Sequence, residues 1–376
     1  DAYLRDPANE GAPLQLSLDL TVQSAVEEVL LGGMNLLNAR GAAAVLMEAK
    51  TGEIVAMASL PDFDPNNRPR PLIKGSPADS PLFNRMVQGV YELGSVFKIF
   101  TVAQGLEMGL IQPSTMIDTK GPMTWGRFRI RDFHDYGPQL SATDVIVESS
   151  NIGTSRIALM FGAEKQREFL GRLGMLEPTE VEMVEAPTGK PLLPAQWSEI
   201  STMTISYGHG LSVTPLHLAA GYATLANGGI KVTPTLLHNA NRAPGERVVS
   251  EQTAAATRAM LRAVVSRGTA SLGDVEGYEV GGKTGTADKP KENGGGYYKD
   301  KVISTFAGMF PATDPEYVFV VTFDEPVETT GSIPRRTAGW TAVPVASEMI
   351  RRTAPLLGLR PQVEGAPIEG ISLAAN

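Results

Sequence analysis

Three short motifs hold the residues of this sequence that could do covalent chemistry. In chain order they are Ser95-Val96-Phe97-Lys98, Ser149-Ser150-Asn151 and Lys283-Thr284-Gly285. A serine hydroxyl becomes a useful nucleophile when a neighbouring base accepts its proton, and a lysine with a lowered pKa can be that base. The motifs therefore indicate nucleophilic catalysis by a serine and a lysine. Each one alone is common by chance, so the hypothesis depends on the ordered set.

The first motif lies at the start of a helix predicted from Ser95 to Leu110. Residues three apart share one helix face, so the Ser95 hydroxyl and the Lys98 amine should lie one turn apart. The helix N-terminus favours negative charge, and the backbone N–H of Ser95 could donate a hydrogen bond to an oxyanion there. A lysine acts as a base only when desolvation or a second cation lowers its pKa, and Lys283 could be that cation.

Gly285 lies in a predicted strand, where glycine is unfavourable unless something must approach the backbone closely. A peptide bound along the strand edge would be such a reason. The third motif therefore predicts a strand that binds an extended peptide.

Two rival patterns fit parts of the chain but lack the elements that their chemistry needs. Residues 277–284 match the phosphate-binding pattern G-x-x-x-x-G-K-[ST], which requires a buried strand before it and a helix after the lysine. Residues 271–276 are not an apolar strand, and Pro290 and the glycines at 294–296 exclude a helix. A Ser-His-Asp hydrolase could use His134, but the sequence has no G-x-S-x-G turn.

Composition excludes further classes of function. The 376 residues carry 33 Lys and Arg against 41 Asp and Glu, and this net charge of −8 argues against a nucleic-acid partner. The absence of cysteine excludes disulfides, thiolate metal sites and cysteine nucleophiles. The four histidines lack metal-ligand spacing, so neither a metal nor another cofactor is predicted. The longest apolar run, Tyr317 to Phe323, is far shorter than the roughly 18–20 residues of a membrane span.

The elements that must position the motifs come from both ends of the chain. Strands are predicted as a hairpin at 43–60 and singly at 278–287, 302–311 and 317–325. Helices are predicted at 20–37, 214–228, 250–268 and 341–357, with capping residues at both ends of the second. Strands at both ends with helices between them predict one mixed sheet with a helical insertion, rather than a repeated βαβ arrangement.

The ordered motifs Ser-x-x-Lys, Ser-x-Asn and Lys-Thr-Gly are a signature of penicillin-binding proteins and β-lactamases. The sequence resembles the transpeptidase domain of class B penicillin-binding proteins, and most resembles the cell-division (septal) type of Gram-negative bacteria. The resemblance extends over 16–357 and is carried by 66–68, 94–107, 149–158, 207–229, 281–289 and 304–312. It implies an α/β (α+β) fold, with a central, mainly antiparallel five-stranded sheet flanked by helices and an all-helical subdomain.

The expected domain organisation follows from this resemblance. Residues 1–15 would be a linker from a missing N-terminal pedestal region, 16–360 the transpeptidase domain and 361–376 a loose tail. Within the domain, the sheet would come from 41–60 and 278–326, the helical subdomain from 105–275 and the C-terminal helix from 341–357.

By position, the resemblance implies a role for each residue of the first two motifs. Ser95 would be the acylated nucleophile and Lys98 its general base. Ser149 would relay a proton to the leaving group, and Asn151 would hold the substrate amide. Two small departures are Leu93, where relatives usually have proline, and Ser150, where many have aspartate.

The third motif would bind the substrate and stabilise charge. Lys283 and Thr284 would steady the relay serine and bind the terminal carboxylate of the substrate. The backbone N–H groups of Ser95 and Thr286 would form the oxyanion hole, next to Gly285.

The implied reaction has two steps and no cofactor. The serine attacks a peptide that ends in D-Ala-D-Ala and releases D-alanine; an amine of a neighbouring stem peptide then takes the acyl group and cross-links peptidoglycan. β-Lactams mimic the donor and remain as acyl-enzymes. A serine β-lactamase and a β-lactam-binding sensor are the alternatives. The absence of Glu-x-x-x-Asn between residues 151 and 283 argues against the rapid deacylation of a class A β-lactamase.

The resemblance also implies a cellular setting. The expected location is the periplasmic face of the inner membrane, with anchoring by an N-terminal helix that is absent from this chain. The expected partners are peptidoglycan stem peptides and β-lactam antibiotics. Through the missing N-terminal part, a septal glycosyltransferase and divisome proteins are also expected.

Overall fold

A five-stranded antiparallel sheet forms the centre of the computed structural model, which describes residues 13–238, 243–291 and 294–362. Its strands are β1 (Gly41–Glu48), β2 (Ile54–Leu60), β7 (Gly281–Pro290), β8 (Tyr297–Phe310) and β9 (Tyr317–Asp324). Their order across the sheet is β2-β1-β9-β8-β7, so the sheet joins both ends of the chain, as predicted. The strand that carries the third motif, β7, is an edge strand.

Helices cover the sheet and fill the middle of the sequence. They are α1 (Leu20–Leu36), α2 (Lys98–Glu107), α3 (Ala142–Val147), α4 (Asn151–Arg172), α5 (Glu199–Ser206), α6 (Pro215–Ala226), α7 (Glu251–Arg267) and α8 (Ala342–Leu356). Helices α1 and α8 pack against each other and the sheet, while α6 contacts β1, β8 and β9. Every residue of α6 is buried, which makes it a central helix of the core.

The helix ends follow the predicted capping residues. The Thr214 hydroxyl caps α6, which has Pro215 in its first turn, and Ser250 caps α7, which ends before Gly268. These hydroxyls accept first-turn N–H groups that lack a partner inside the helix. The His217 ring in turn accepts the Thr214 N–H, and burial lowers the pKa of this histidine to about 4.

The middle of the chain also contains four short strands that were not predicted. Strand β3 (Met116–Asp118) pairs with β6 (Gln139–Ser141), and β4 (Met123–Trp125) pairs with β5 (Phe128–Ile130). The expectation of an all-helical subdomain over 105–275 is corrected in this respect. Strands of three residues are too short to show an alternating pattern, and the glycines and prolines around them are typical of loops.

The expected ends of the domain fall largely beyond the described residues. Of the expected linker at 1–15 only residues 13–15 are described, and of the expected tail at 361–376 only residues 361–362. The domain bounds therefore stay a prediction. Within the described ranges, no helix is long and apolar enough to cross a membrane.

Candidate active site

The first motif forms a tight turn at the start of α2. Residues Gly94–Phe97 make a 3-10 turn that continues directly into the α-helix at Lys98. The Lys98 N–H donates to the Ser95 carbonyl, so the two residues lie one turn apart, as predicted. Leu93 adopts φ −93° and ψ −1°, and the turn therefore forms without a proline at that position.

The three motifs meet at Ser149. Lys98 Nζ donates to the Ser149 carbonyl at 2.5 Å and lies 3.0 Å from its Oγ. Lys283 Nζ lies 2.9 Å from the same Oγ and 3.2 Å from the Thr284 carbonyl. Ser149 has a φ of 64°, a backbone conformation that is uncommon outside glycine and frequent at functional sites. The structure thus brings together one side chain from each motif in a continuous hydrogen-bonded network.

Burial lowers the pKa of both lysines in this network, because their side chains have no exposed surface. The pKa of Lys98 falls well below 10.5, first through desolvation and second through the nearby Lys283 amine, while the Asp132 carboxylate acts in the opposite direction. Burial also lowers the pKa of Lys283 to about 7. A lowered pKa favours the neutral amine, which is the form of a lysine that can accept a proton.

The Lys98 amine is directed towards Ser149 rather than towards Ser95 of its own motif. Ser95 is half-buried, and in the described part of the chain its hydroxyl makes no hydrogen bond with Lys98. Catalytic hydrogen bonds often tighten only when substrate is bound. The role of Lys98 as the base for Ser95 therefore stays a prediction, while its contact with Ser149 is part of the structure.

Asp132 fixes the first turn of α4, where the second motif ends. Its carboxylate accepts the Ser150 hydroxyl at 2.6 Å and the N–H groups of Asn151 at 2.6 Å and Ile152 at 3.0 Å. The Asn151 amide donates to the Arg131 carbonyl at 2.9 Å. An acidic group at a helix N-terminus accepts hydrogen bonds from free N–H groups, and its negative charge interacts favourably with the positive end of the helix dipole. Asp132 therefore holds the second motif in place.

Asp132 was not predicted from the sequence. It stands 18 residues before Ser150 in an irregular segment, and no local pattern indicates that it contacts α4. The neighbouring His134, which the sequence offered as a hydrolase candidate, takes no part in the Lys98–Ser149–Lys283 network.

Gly285 lies against the turn that holds Ser95. A Cβ at this position would lie 2.3 Å from the Leu93 carbonyl oxygen and 3.0 Å from Val96 Cγ1. On the facing side Gly94 has a φ of 64°, and a Cβ there would lie 3.0 Å from the Thr286 carbonyl oxygen. The predicted close approach to Gly285 is confirmed, but the approaching group is the turn that holds Ser95 and not a peptide.

Thr284 and Thr286 lie on β7, whose only sheet neighbour is β8 within the described residues. The Thr284 hydroxyl lies 2.8 Å from that of Thr269, and the Thr286 hydroxyl accepts the Ala338 N–H at 2.9 Å. An edge strand offers unpaired backbone groups to an extended peptide. The contacts of Thr284 and Thr286 with substrate stay predictions.

Comparison with known proteins identifies the family. A family model described as the penicillin-binding protein transpeptidase domain matches residues 42–346. The chain belongs to this family. The probable peptidoglycan D,D-transpeptidase FtsI of Caulobacter vibrioides is 36% identical over 373 residues, covering 97% of this chain and 62% of that protein. The peptidoglycan D,D-transpeptidase FtsI of Escherichia coli is 32% identical over 314 residues, covering 83% and 52%.

A solved structure confirms the predicted fold class. The apo structure of the TP domain of Burkholderia pseudomallei penicillin-binding protein 3 aligns with a TM-score of 0.80 at 31% identity. The alignment covers 93% of this chain and 98% of that one. The chain spans between about half and three-fifths of the length of the two curated relatives named above.

Proposed function

We propose that this chain is a serine D,D-transpeptidase that cross-links peptidoglycan stem peptides through an acyl-enzyme on Ser95. The observation that carries the proposal is the buried network in which Lys98 and Lys283 both contact the Ser149 hydroxyl. Lys98 itself lies one helical turn from Ser95. Membership of the transpeptidase family and the names of two relatives support the same activity.

Acylation uses Lys98 as the base. The neutral amine takes the Ser95 proton as Oγ attacks the carbonyl carbon of the penultimate D-alanine of the donor peptide. The N–H groups of Ser95 and Thr286 stabilise the charge on the carbonyl oxygen. The C–N bond then breaks, the departing D-alanine amine takes a proton from Ser149, and Lys98 returns a proton to that serine.

Transfer repeats these proton movements in reverse with a different amine. The acceptor amine attacks the ester carbonyl and passes a proton through Ser149 to Lys98. As the new amide bond forms, Ser95 Oγ departs and recovers its proton from Lys98. Lys283 keeps the Ser149 hydroxyl in place throughout, since its amine lies 2.9 Å away.

Substrate binding is assigned to β7 and the start of α4. The donor peptide lies along the edge of β7, where Thr284 and Lys283 bind its terminal carboxylate, and Asn151 holds its amide. The family assignment and the unpaired edge of β7 support this placement.

The cellular setting that we infer is septal cell-wall synthesis at the periplasmic face of the inner membrane. Two relatives carry the name FtsI and the description peptidoglycan D,D-transpeptidase, which supports this role. A septal glycosyltransferase and divisome proteins are the inferred partners. β-Lactams are the inferred inhibitors.

The test combines a donor peptide that ends in D-Ala-D-Ala with an amine acceptor. Mass spectrometry should find a cross-linked product and free D-alanine, both absent for Ser95→Ala. A penicillin adduct should persist for hours. Rapid hydrolysis of penicillin would instead indicate a β-lactamase, and a stable adduct without peptide transfer would indicate a sensor; either result would contradict the proposal.

A further inference from the structure

A cleft of about 300 Å³ opens beside the first turn of α4 and has no part in the steps described so far. The loop 131–135 and Ile152 of α4 are among the residues that line it. The Arg131 carbonyl accepts the Asn151 amide at 2.9 Å, so the cleft wall is joined directly to the second motif. Anything bound in the cleft therefore lies next to the residues that follow Ser149.

The cleft carries groups of both charges. Arg131 is exposed and, in the described ranges, forms no ion pair. Asp135 is also exposed and uses Oδ1 to accept the Gly137 N–H at 2.9 Å. Phe133 is 80% exposed, and its ring lies edge-on to His134 at 4.8 Å. A guanidinium, a carboxylate and an aromatic surface fit a ligand that carries a carboxylate and an amine close together.

The transfer step requires a ligand of this kind near Ser149. The acceptor amine must arrive where the D-alanine amine left, because the same Ser149 hydroxyl relays the proton in both directions. The donor is already assigned to the edge of β7. The acceptor therefore needs a second surface next to Ser149, and the cleft adjoins α4, whose first residue follows Ser150.

We propose that this cleft binds the acceptor stem peptide through an amino-acid end in which the reacting amine stands next to a carboxylate. Arg131 pairs with that carboxylate, and Asp135 attracts the amine while it is still protonated. The inference rests on the proposed transpeptidase function and adds the binding site of its second substrate.

The test separates acylation from transfer. A thioester donor acylates Ser95 and releases a measurable thiol, after which the acyl-enzyme partitions between hydrolysis and aminolysis by an added D-amino acid or its amide. Arg131→Gln should raise the D-amino acid concentration needed for half-maximal aminolysis about tenfold, as expected for one lost charge-assisted hydrogen bond. The amide lacks the carboxylate, so the amide concentration needed for half-maximal aminolysis should not change.

Two further variants complete the design. Asp135→Asn keeps an oxygen for the Gly137 N–H but removes the charge. It should therefore weaken the binding of the D-amino acid and of its amide equally. Arg127→Gln is the matched control: it removes the same charge from the β4–β5 turn, where the guanidinium lies 5.3 Å from the Phe128 ring and does not line the cleft. Arg127→Gln should change the half-maximal concentration of neither the D-amino acid nor its amide.

The outcomes distinguish the two proposals. Wild-type protein that releases no thiol would overturn the proposed function and the cleft assignment with it. If the wild type is acylated normally but Arg131→Gln changes the half-maximal concentrations of the D-amino acid and its amide by the same factor, the cleft assignment alone is overturned. An equal effect of Arg127→Gln would also overturn it, as would an Arg131→Gln variant whose only defect is slower acylation, since Arg131 would then act through Asn151.

Discussion

Replacing Gly285 by alanine should slow acylation of Ser95 about a hundredfold. The new Cβ would lie 2.3 Å from the Leu93 carbonyl oxygen, about 1.1 Å closer than the 3.4 Å of the tightest ordinary contact. The obstacle is backbone, so no side-chain rotation relieves it, and the turn that holds Ser95 must move away from β7. A misplacement of about 1 Å can reduce a rate by about a hundredfold. Overpacking should also destabilise the fold by about 1–3 kcal/mol.

The assay is the second-order rate constant for labelling by a fluorescent penicillin, measured alongside thermal unfolding. Gly32→Ala is the matched control, because a Cβ there meets nothing within 4 Å and the residue lies inside α1. Its labelling rate should equal that of the wild type, and its stability should rise by about 0.5–1 kcal/mol. If Gly285→Ala is labelled as fast as the wild type, the contact with Leu93 does not position Ser95, and the reasoning is refuted.

Three further predictions concern ionisable side chains in and around the core. Lys283→Met should abolish labelling yet raise the unfolding midpoint at pH 7, because burial of the wild-type amine is unfavourable enough to lower its pKa to about 7. Between pH 7 and the ordinary lysine pKa the unfolded wild type binds more protons, so its stability rises with pH and the variant's advantage should shrink; a constant advantage would contradict the assignment. Asp132→Ala removes three hydrogen bonds at the start of α4 and should lower the unfolding free energy by about 1–3 kcal/mol in denaturant titrations. It should also slow labelling, and an unchanged rate would show that Asp132 does not hold the second motif. The depressed pKa of His217, about 4, implies that wild-type stability falls as pH drops from 6.5 towards 4, since the unfolded state takes the proton first. His217→Gln should flatten this pH dependence, and an identical slope in both proteins would contradict it.

The strands, the long helices and the spacing of the first motif could be predicted because their signals are local. The capping residues Thr214 and Ser250 define helix starts within four residues of sequence, and the hairpin turn of β1 and β2 is equally short. The motif spacing likewise placed Ser95 and Lys98 one turn apart. In each case the residues that interact are neighbours in the chain.

The contacts that complete the site join distant residues, so no local pattern predicts them; only the family resemblance led us to expect Lys283 beside Ser149. Lys98 reaches Ser149 across 51 positions, and Lys283 reaches the same serine across 134. The hydrogen bonds of Asp132 and the approach of Leu93 to Gly285 likewise depend on how separate elements pack. The Gly285 position shows the difference well: the sequence predicted a close approach, and only the fold identified the group that approaches.

The most direct test of Ser95 as the nucleophile is to locate its adduct after treatment with penicillin. Trypsin should release Met86–Lys98, which follows Arg85 and contains Ser95 as its sole serine or threonine. One penicilloyl group per chain should appear on this peptide, persist for hours, and be absent from Ser95→Ala protein with an unchanged unfolding curve. An adduct on any other peptide, or labelling that survives Ser95→Ala, would contradict the assignment of Ser95 as the nucleophile.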